Sequence, residues 1–252
     1  MGIFRDGLRE PLPLNTTVYD AFPGAQIHAV DRTNYADIRE DAFWAIFEKC
    51  KPYTLLSVER FYNIFKSIEY IASTNIPGDI VECGVFLGGS ILGAAYFAEY
   101  FGLRGRTFYL CDTFEGFPVN TVETNLWGSP DNLSANYPAM NQNFRHIVEK
   151  NIEESGLAES KFELVQGLVE DTLPITGFGP LAYLRLDTDY YQSTFVEMDV
   201  LYPKLNANGV LIIDDYGCYE GARNAIEDYF KKVGKRPLLQ RIDAAGRCGV
   251  KI

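Results

Sequence analysis

The stretch "DIVECGVFLGGSILGAAYFAEYFG", residues 79–102, decides the fold. Its first part, 79–85, is a short apolar run rich in Val and Ile, the pattern of a buried strand. Its last part, 90–102, is long enough for a helix and has no proline. Gly84, Gly88 and Gly89 lie between the two, where glycine permits a sharp turn and a close approach of backbone to a ligand. Strand, turn and helix in that order open a βαβ unit. Working outward, the alternation repeats. Strands are predicted at 107–114, 162–167, 181–187 and 209–214, with helices at 140–156, 194–205 and 220–234. Apolar strands alternating with helices predict an α/β fold, a mostly parallel sheet with helices on both faces. The last residues, "PLLQRIDAAGRCGVKI", hold two short strand patterns around Ala244-Ala245-Gly246, a hairpin that adds an antiparallel edge strand.

Ahead of the sheet, residues 41–50 and 57–74 read as helices. The second carries Phe61, Ile64, Phe65, Ile68 and Ile71 on one stripe, with Ser57 as its N-cap. Pro77-Gly78 ends this region. The first 40 residues, with Pro11, Pro13, Pro23 and Gly24, are expected to form an extended arm. The chain therefore divides into an N-terminal arm and helical lid, 1–76, and a sheet domain, 77–252.

The chain has 252 residues, 47% of them hydrophobic, which is ample for a large core. Its formal net charge of −11 leaves no basic footprint for nucleic acid. The five cysteines are scattered and form no C-x-x-C pair, and only His28 and His146 could help hold zinc. Reduced core thiols in a cytoplasmic protein are expected. No apolar run approaches the roughly 20 residues of a membrane helix. The N-terminus "MGIFRDGLREPLP" lacks a signal core, and Asp6 stands where myristoylation favours Ser or Thr.

In open α/β sheets ligands gather beyond the carboxyl ends of the strands. The predicted ends carry Glu82-Cys83-Gly84, Asp112, Gly167, Asp187 and Asp214-Asp215. The first turn departs from the dinucleotide fingerprint G-x-G-x-x-G, and an ordinary tight turn is the other reading. Glu82 repels phosphate but suits an ammonium group, and Asp112 is placed for ribose hydroxyls. An adenosyl group joined to a cationic amino acid is S-adenosylmethionine. In "LRLDTDYYQST" (184–194) and "GVLIIDDYG" (209–217) apolar runs stop on carboxylates. Sequential parallel strands are usually neighbours, so Asp187, Asp214 and Asp215 should meet. Three such carboxylates repel one another unless a hard cation such as Mg²⁺ joins them. Arg185 leaves a salt-bridged structural cluster as the alternative.

The ordered set "PGDIVECGVFLGGS", "CDTFEGFP", "LRLDTDYYQST" and "GVLIIDDYG" resembles the macrocin O-methyltransferase family, Mg²⁺-dependent enzymes that methylate sugar hydroxyls of macrolide and aminocoumarin antibiotics. The resemblance runs from about Tyr53 to the C-terminus. It implies a Rossmann-like class I methyltransferase sheet of seven strands, the last antiparallel. It implies S-adenosylmethionine at Glu82, Gly84, Asp112 and Thr113, with Thr54 and Leu55 closing over it. The turn residues Val85, Phe86, Gly88 and Ser90, with Phe114, Gly167 and Leu168, complete the implied cofactor set. It further implies metal ligation by Asp187, Asp214 and Asp215, and a base drawn from Asp187 and Asp189.

The function expected is therefore methyl transfer to a sugar hydroxyl of a glycoside natural product. Asp187 is assigned to the metal and Asp189 to proton transfer; the roles could be exchanged, or Asp187 could do both. If the stretch stays extended, Asp187 and Asp189 share one face; a bend after Asp187 would break that. The polar stretch 118–141 reads as an acceptor-side lid, with Trp127 and Tyr137 available to stack on a sugar, or as an ordinary surface loop. Tyr190 and Tyr191 are placed to line the acceptor pocket or to pack in the core, and His146 is structural. A nucleotide-linked or polysaccharide sugar, or a catechol, fits the same chemistry. A nicotinamide-dependent oxidoreductase or a non-catalytic binding protein are the alternatives of other classes. Partners are expected to be a small-molecule substrate and other copies of the chain in a homo-oligomer, dimer or higher, with no nucleic acid and no membrane.

Overall fold

The structure, a computed structural model, describes residues 16–21, 30–118 and 122–252; the expected N-terminal arm lies largely outside them. After a short turn of helix, α1 (Val18–Ala21), two helices precede the sheet: α2 (Asp41–Cys50) and α3 (Val58–Ser73). Ser57 caps α3, its hydroxyl accepting from the Arg60 amide at 3.2 Å. The sheet units follow as β1 (Asp79–Cys83), α4 (Gly89–Tyr100) and β2 (Thr107–Asp112). A small hairpin, β3 (Glu123–Thr124) and β4 (Pro130–Asp131), leads to α5 (Leu133–Asn136) and α6 (Arg145–Glu153). Then come β5 (Lys161–Gln166), α7 (Val169–Thr172), β6 (Leu181–Leu186), α8 (Tyr191–Leu201), β7 (Leu205–Ile213) and α9 (Glu220–Val233). The chain closes with β8 (Gln240–Arg241) and β9 (Arg247–Val250).

The seven-stranded sheet runs β5-β2-β1-β6-β7-β9-β8. β5, β2, β1, β6 and β7 are parallel, and β9 is antiparallel to β7. The terminal hairpin thus adds the antiparallel strand expected, but β8 rather than that strand takes the outer edge. The alternation of strand side chains sorts the core into two layers. Ile80, Val210 and Ile212 face α2, α3 and α4, while Val81, Cys83, Leu184, Leu211 and Ile213 face α8 and α9. Phe43, Phe47, Phe61, Phe65 and Phe97 form an aromatic nest between α2, α3 and α4, with edge-on contacts such as Phe47–Phe61 at 5.3 Å and Phe65–Phe97 at 5.1 Å. A Cβ on Gly93 would lie 2.4 Å from the Phe61 ring, so α4 accepts that ring only because residue 93 has no side chain.

The strand hydrogen bonds continue one step past the strands. Gly84 N donates to Cys111 O, Gly167 N to Asp112 O, Asp187 N to Cys83 O and Asp214 N to Leu186 O, each at 2.9 Å. This keeps the strand ends level and gathers the residues after them along one edge. Two helix starts differ from expectation. Residues 138–140 form a 3₁₀ turn, and α6 begins only at Arg145 because Asn141 spends its side chain on Phe117 N and Ser134 O. α8 begins at Tyr191, ahead of the expected 194, directly after a tight turn at Asp189.

Phe61 is fully buried at the centre of the nest. Phe61→Ala is expected to lower unfolding free energy by about 3–5 kcal/mol, read from urea denaturation.

Candidate active site

The level strand ends open into a cavity of roughly 410 Å³. Of the residues expected to hold a cofactor, Thr54, Leu55, Gly84, Val85, Phe86, Ser90, Asp112, Thr113, Gly167 and Leu168 line it; Glu82, Gly88 and Phe114 do not. Asp187, Asp189, Asp214 and Asp215 line the same cavity. Gly84 joins the two halves. Its φ of +80° is left-handed, and a Cβ there would lie 1.9 Å from the Asp187 carbonyl oxygen. The turn after β1 therefore rests directly on the backbone that follows β6.

Asp112 organises the turns that follow β1 and β2. Its Oδ2 accepts from Val85 N at 2.6 Å and Phe86 N at 3.1 Å, and its Oδ1 from Phe114 N at 2.7 Å. Phe86 and Phe114 both have positive φ, +50° and +55°, a conformation that costs a bulky residue energy. The carboxylate is thus the clamp for two strained turns. Burial raises its pKa against the pull of these three amides. A ribose contact at Asp112 would share oxygens already engaged. Phe114 is fully buried against Phe144 and serves the core.

Glu82 requires a correction. It is 1% exposed, and its Oε1 accepts from Arg185 Nη1 at 2.5 Å and from the Ser90 hydroxyl. It is directly registered with Arg185 on the neighbouring strand, so its charge is used inside the sheet and not on a ligand ammonium. Arg185 also reaches Asp187 Oδ2 at 2.9 Å and Asp214 Oδ1 at 2.6 Å. Asp214 Oδ2 meets Arg60 Nη1, and Arg60 Nε meets Asp243 at 2.7 Å. Acids and bases therefore alternate from the start of α4 across β1, β6 and β7 to the terminal hairpin, whose turn amides at Ala245 and Gly246 are accepted by Asp243 Oδ1. Arg60 was not anticipated, because it arrives from α3, far away in sequence, and no local motif announces it.

The carboxylates outnumber the guanidiniums: Glu82, Asp187, Asp189, Asp214, Asp215 and Asp243 face Arg60 and Arg185. Burial pushes Asp214 up, but Arg185 and Arg60 outweigh it and hold the group below the ordinary carboxylate range. Burial raises Asp187 well above that range despite Arg185, and raises Asp215 likewise, with Asp189 and Asp214 adding to the rise. Asp189 is pushed up to about 8 by burial. Asp215 Oδ2 is buried with no hydrogen-bond partner. One oxygen from each of Asp187, Asp214 and Asp215 lies within 4.8 Å of the others. An all-oxygen donor set with surplus negative charge fits a hard divalent cation. The arginine contacts leave each Asp214 oxygen a second lone pair for it.

Asp189 is held in a bend. Tyr190 N donates to Thr188 O at 2.8 Å, and Asp189 between them has φ +68°. This is a γ-turn of the rare positive-φ kind, a conformation that costs on the order of 1–3 kcal/mol. The extended geometry that would put Asp187 and Asp189 on one face does not occur. The bend instead brings Asp189 within hydrogen-bonding reach of Asp215.

The polar stretch 118–141 is more structured than expected. Its hairpin bridges to Tyr219 through Asn125, and Leu126 N donates to Cys218 O at 3.0 Å. Glu123 accepts from Tyr191 N at the start of α8 at 3.1 Å and lies against Gly221 at the start of α9. Leu133, Tyr137 and Met140 from this stretch line the cavity with Phe117, Tyr190 and Tyr219. Trp127 sits at the hairpin tip, 79% exposed and outside the cavity, so it does not serve there as the stacking residue. Tyr191 is also outside, its hydroxyl bound to Asp228 at 3.0 Å, and His146 lies within α6 away from the cavity.

The sheet order, the ligand crevice at its carboxyl edge and the antiparallel β9 define the class I methyltransferase architecture. The family model for the macrocin-O-methyltransferases matches residues 23–248. The chain is 30% identical over 195 residues to the mycinamicin III 3''-O-methyltransferase of Micromonospora griseorubida, covering 77% of this chain and 76% of that protein. It is 29% identical over 194 residues to the demethyldecarbamoylnovobiocin O-methyltransferase of Streptomyces niveus, covering 77% and 74%. Among solved structures, the O-methyltransferase NovP superposes with a TM-score of 0.71 at 28% identity, over 79% of this chain and 82% of that one. The chain belongs to the macrocin-O-methyltransferase family and is an S-adenosylmethionine-dependent O-methyltransferase. Among the described residues no helix is long and apolar enough to cross a membrane, and the five cysteines are free.

A carboxyl whose pKa is raised in the folded state contributes stability fully present below its unfolded value, and that stability is lost as pH rises through the folded value. For Asp189 this window runs from 3.8 to about 8. The metal-free protein is therefore expected to melt at a lower temperature at pH 8.5 than at pH 6. Added Mg²⁺ should raise the melting temperature more at the higher pH, because cation binding needs the ionised carboxylates. Scanning calorimetry at both pH values, with and without Mg²⁺, checks the sign.

Proposed function

We propose that the protein is a divalent-metal-dependent O-methyltransferase that acts on a sugar hydroxyl of a glycosylated natural product. The observation that carries this reading is the convergence of Asp187, Asp189, Asp214 and Asp215 on the same cavity as the turn residues of β1 and β2. In this reading Asp187, Asp214 and Asp215 hold Mg²⁺, and Gly84, Val85, Phe86, Ser90, Asp112, Thr113, Gly167 and Leu168 surround S-adenosylmethionine, with Thr54 and Leu55 covering it. The described part of the N-terminal region, which ends at residue 76, supplies that cover, and the region from residue 77 supplies the catalytic sheet.

The sulfonium of S-adenosylmethionine supplies an electrophilic methyl group. A divalent cation held by the three aspartates would lower the pKa of an acceptor hydroxyl near it. Asp189 receives the hydroxyl proton on a carboxylate oxygen as the hydroxyl oxygen bonds the methyl carbon and the methyl–sulfur bond breaks, releasing S-adenosylhomocysteine. Its raised pKa makes its ionised form a stronger base than a solvated aspartate, and a cation on the neighbouring aspartates would favour that ionised form. Arg185 and Arg60 keep Asp214 ionised throughout. Phe117, Tyr137, Tyr190 and Tyr219 exclude water and offer faces to a sugar ring. The remaining contribution is alignment of oxygen, methyl carbon and sulfur.

The relatives support a glycoside acceptor through their names. The cavity supports it through its charge. Among the described residues, Arg60 is the cation lining it, and Arg60 is engaged by Asp214 and Asp243. A diphosphate-linked sugar would find no uncommitted lysine or arginine among the described residues there. A cytoplasmic, homo-oligomeric enzyme is part of the same proposal, and light scattering reads the assembly.

Calorimetry with S-adenosylhomocysteine, with and without Mg²⁺, tests the cofactor and the metal together. A methyl-transfer screen over glycosides, including mycinamicin III and demethyldecarbamoylnovobiocin, tests the acceptor. Asp214→Ala should reduce turnover by on the order of 100-fold or more while S-adenosylhomocysteine still binds. Asp189→Asn should lower kcat by roughly 10²- to 10⁴-fold with little change in metal affinity. Turnover that persists in excess chelator would remove the metal from the proposal.

A further inference from the structure

Glu197 projects from α8 into the layer beneath the sheet edge. It is 0% exposed and does not line the cavity. Its Oε1 accepts from the Thr188 hydroxyl at 2.9 Å, the Cys83 thiol lies beside the carboxyl, and Oε2 has no hydrogen-bond partner within normal distance. Its neighbours on the helix, Thr194, Met198 and Leu201, are buried as well. An ionised acid in such a place is costly, so burial favours its neutral form. Burial pushes Glu197 up to about 8, so near pH 7 it is largely a neutral acid whose Oε1 can accept one hydrogen bond without a charge.

The residue Glu197 grips is informative. Thr188 supplies the carbonyl that closes the γ-turn onto Tyr190 N, and Asp189 is the central residue of that turn. An aspartate at φ +68° relaxes unless its flanks are fixed. On one side the flank is fixed by α8, whose first turn begins at Tyr191. On the other side Asp187 N is tied to Cys83 O. Between these anchors, the Thr188 side chain is held from below by Glu197.

We propose that Glu197 is a positioning residue for methyl transfer: through the Thr188 hydroxyl it holds the strained turn that aims Asp189 at Asp215 and the acceptor. This rests on the reading of Asp189 as proton acceptor. Glu197 touches neither substrate nor cofactor. Its effect belongs in kcat and not in the binding of either ligand.

The test compares Glu197→Gln, Glu197→Leu, Thr188→Val and the double variant Glu197→Leu/Thr188→Val in the full chain. Turnover is measured with whichever glycoside of the panel above is methylated, alongside S-adenosylhomocysteine affinity by calorimetry. Glutamine keeps a carbonyl acceptor at the same place and should restore kcat to within about threefold of the parent. Glu197→Leu and Thr188→Val should each lower kcat by roughly 10- to 100-fold, the scale of a misplaced reacting group. S-adenosylhomocysteine affinity should stay within about twofold, because the cofactor turns are not touched. The double variant should be no worse than the poorer single one, since both remove one interaction. A crystal structure of Glu197→Leu should find residue 189 out of the left-handed region. The inference is overturned if Glu197→Leu retains kcat, if Glu197→Gln is as impaired as Glu197→Leu, or if the two losses multiply. Should no glycoside be methylated, the acceptor reading has failed. The crystallographic arm still decides the positioning claim, and a γ-turn unchanged in Glu197→Leu overturns it.

Discussion

A guanidinium buried in a parallel sheet is the constraint on which the rest of the site depends. Arg185 is 1% exposed and meets Glu82, Asp187 and Asp214 at once. Desolvating such a group costs several kcal/mol, and only good geometry with several acceptors compensates for it. The three acceptors come from β1 and from the ends of β6 and β7, so the register of those strands and the placement of the acids are one requirement. A one-residue slip would turn Arg185 into the opposite, apolar layer and strand Glu82. Asp214 stays ionised because Arg60 adds to Arg185 there, whereas Asp187 has Arg185 alone and is driven by burial towards protonation, as is Asp215. Stability and reactivity are set here by the same few contacts.

The fold was legible because its signals are local. Apolar runs, glycine at turns and Ser57 ahead of an amphipathic helix each act over a few residues, and the structure has strands and helices where these signals lie. The four acidic residues of the site were legible for a related reason. They sit at strand ends, and the rule that ligands collect there is a rule of topology. What stayed hidden depends on long-range pairing. Nothing near Arg60 indicates that it will meet Asp214, and nothing near Glu82 indicates that Arg185 will take it from the ligand side. The bend at Asp189 was hidden too, because a non-glycine residue with positive φ leaves no mark in composition. Trp127 shows the opposite case. Its type suits sugar stacking, but the hairpin carries it outward, and a loop's composition does not specify its path.

The two ends of the cavity are built by different means. At the turns after β1 and β2, backbone amides close on Asp112, and Gly84 lets two turns touch without an intervening side chain. These are short, geometrically strict contacts with little tolerance. At the other end, aromatic and aliphatic side chains from a long connection face the cavity, and such surfaces accept changes of shape more readily.

The hairpin of that connection is fastened to the body through Glu123, which reaches the first turns of α8 and α9 together, and through the 218–219 segment, which takes the Asn125–Tyr219 bridge, Leu126 N and Asp131. A fastening this narrow makes the connection a cassette. Its interior can be exchanged for one of another length and lining so long as that carboxylate and its glycine seat are kept. The lining of the cavity is then open to change, by evolution or by grafting, without disturbing the acidic edge of the sheet.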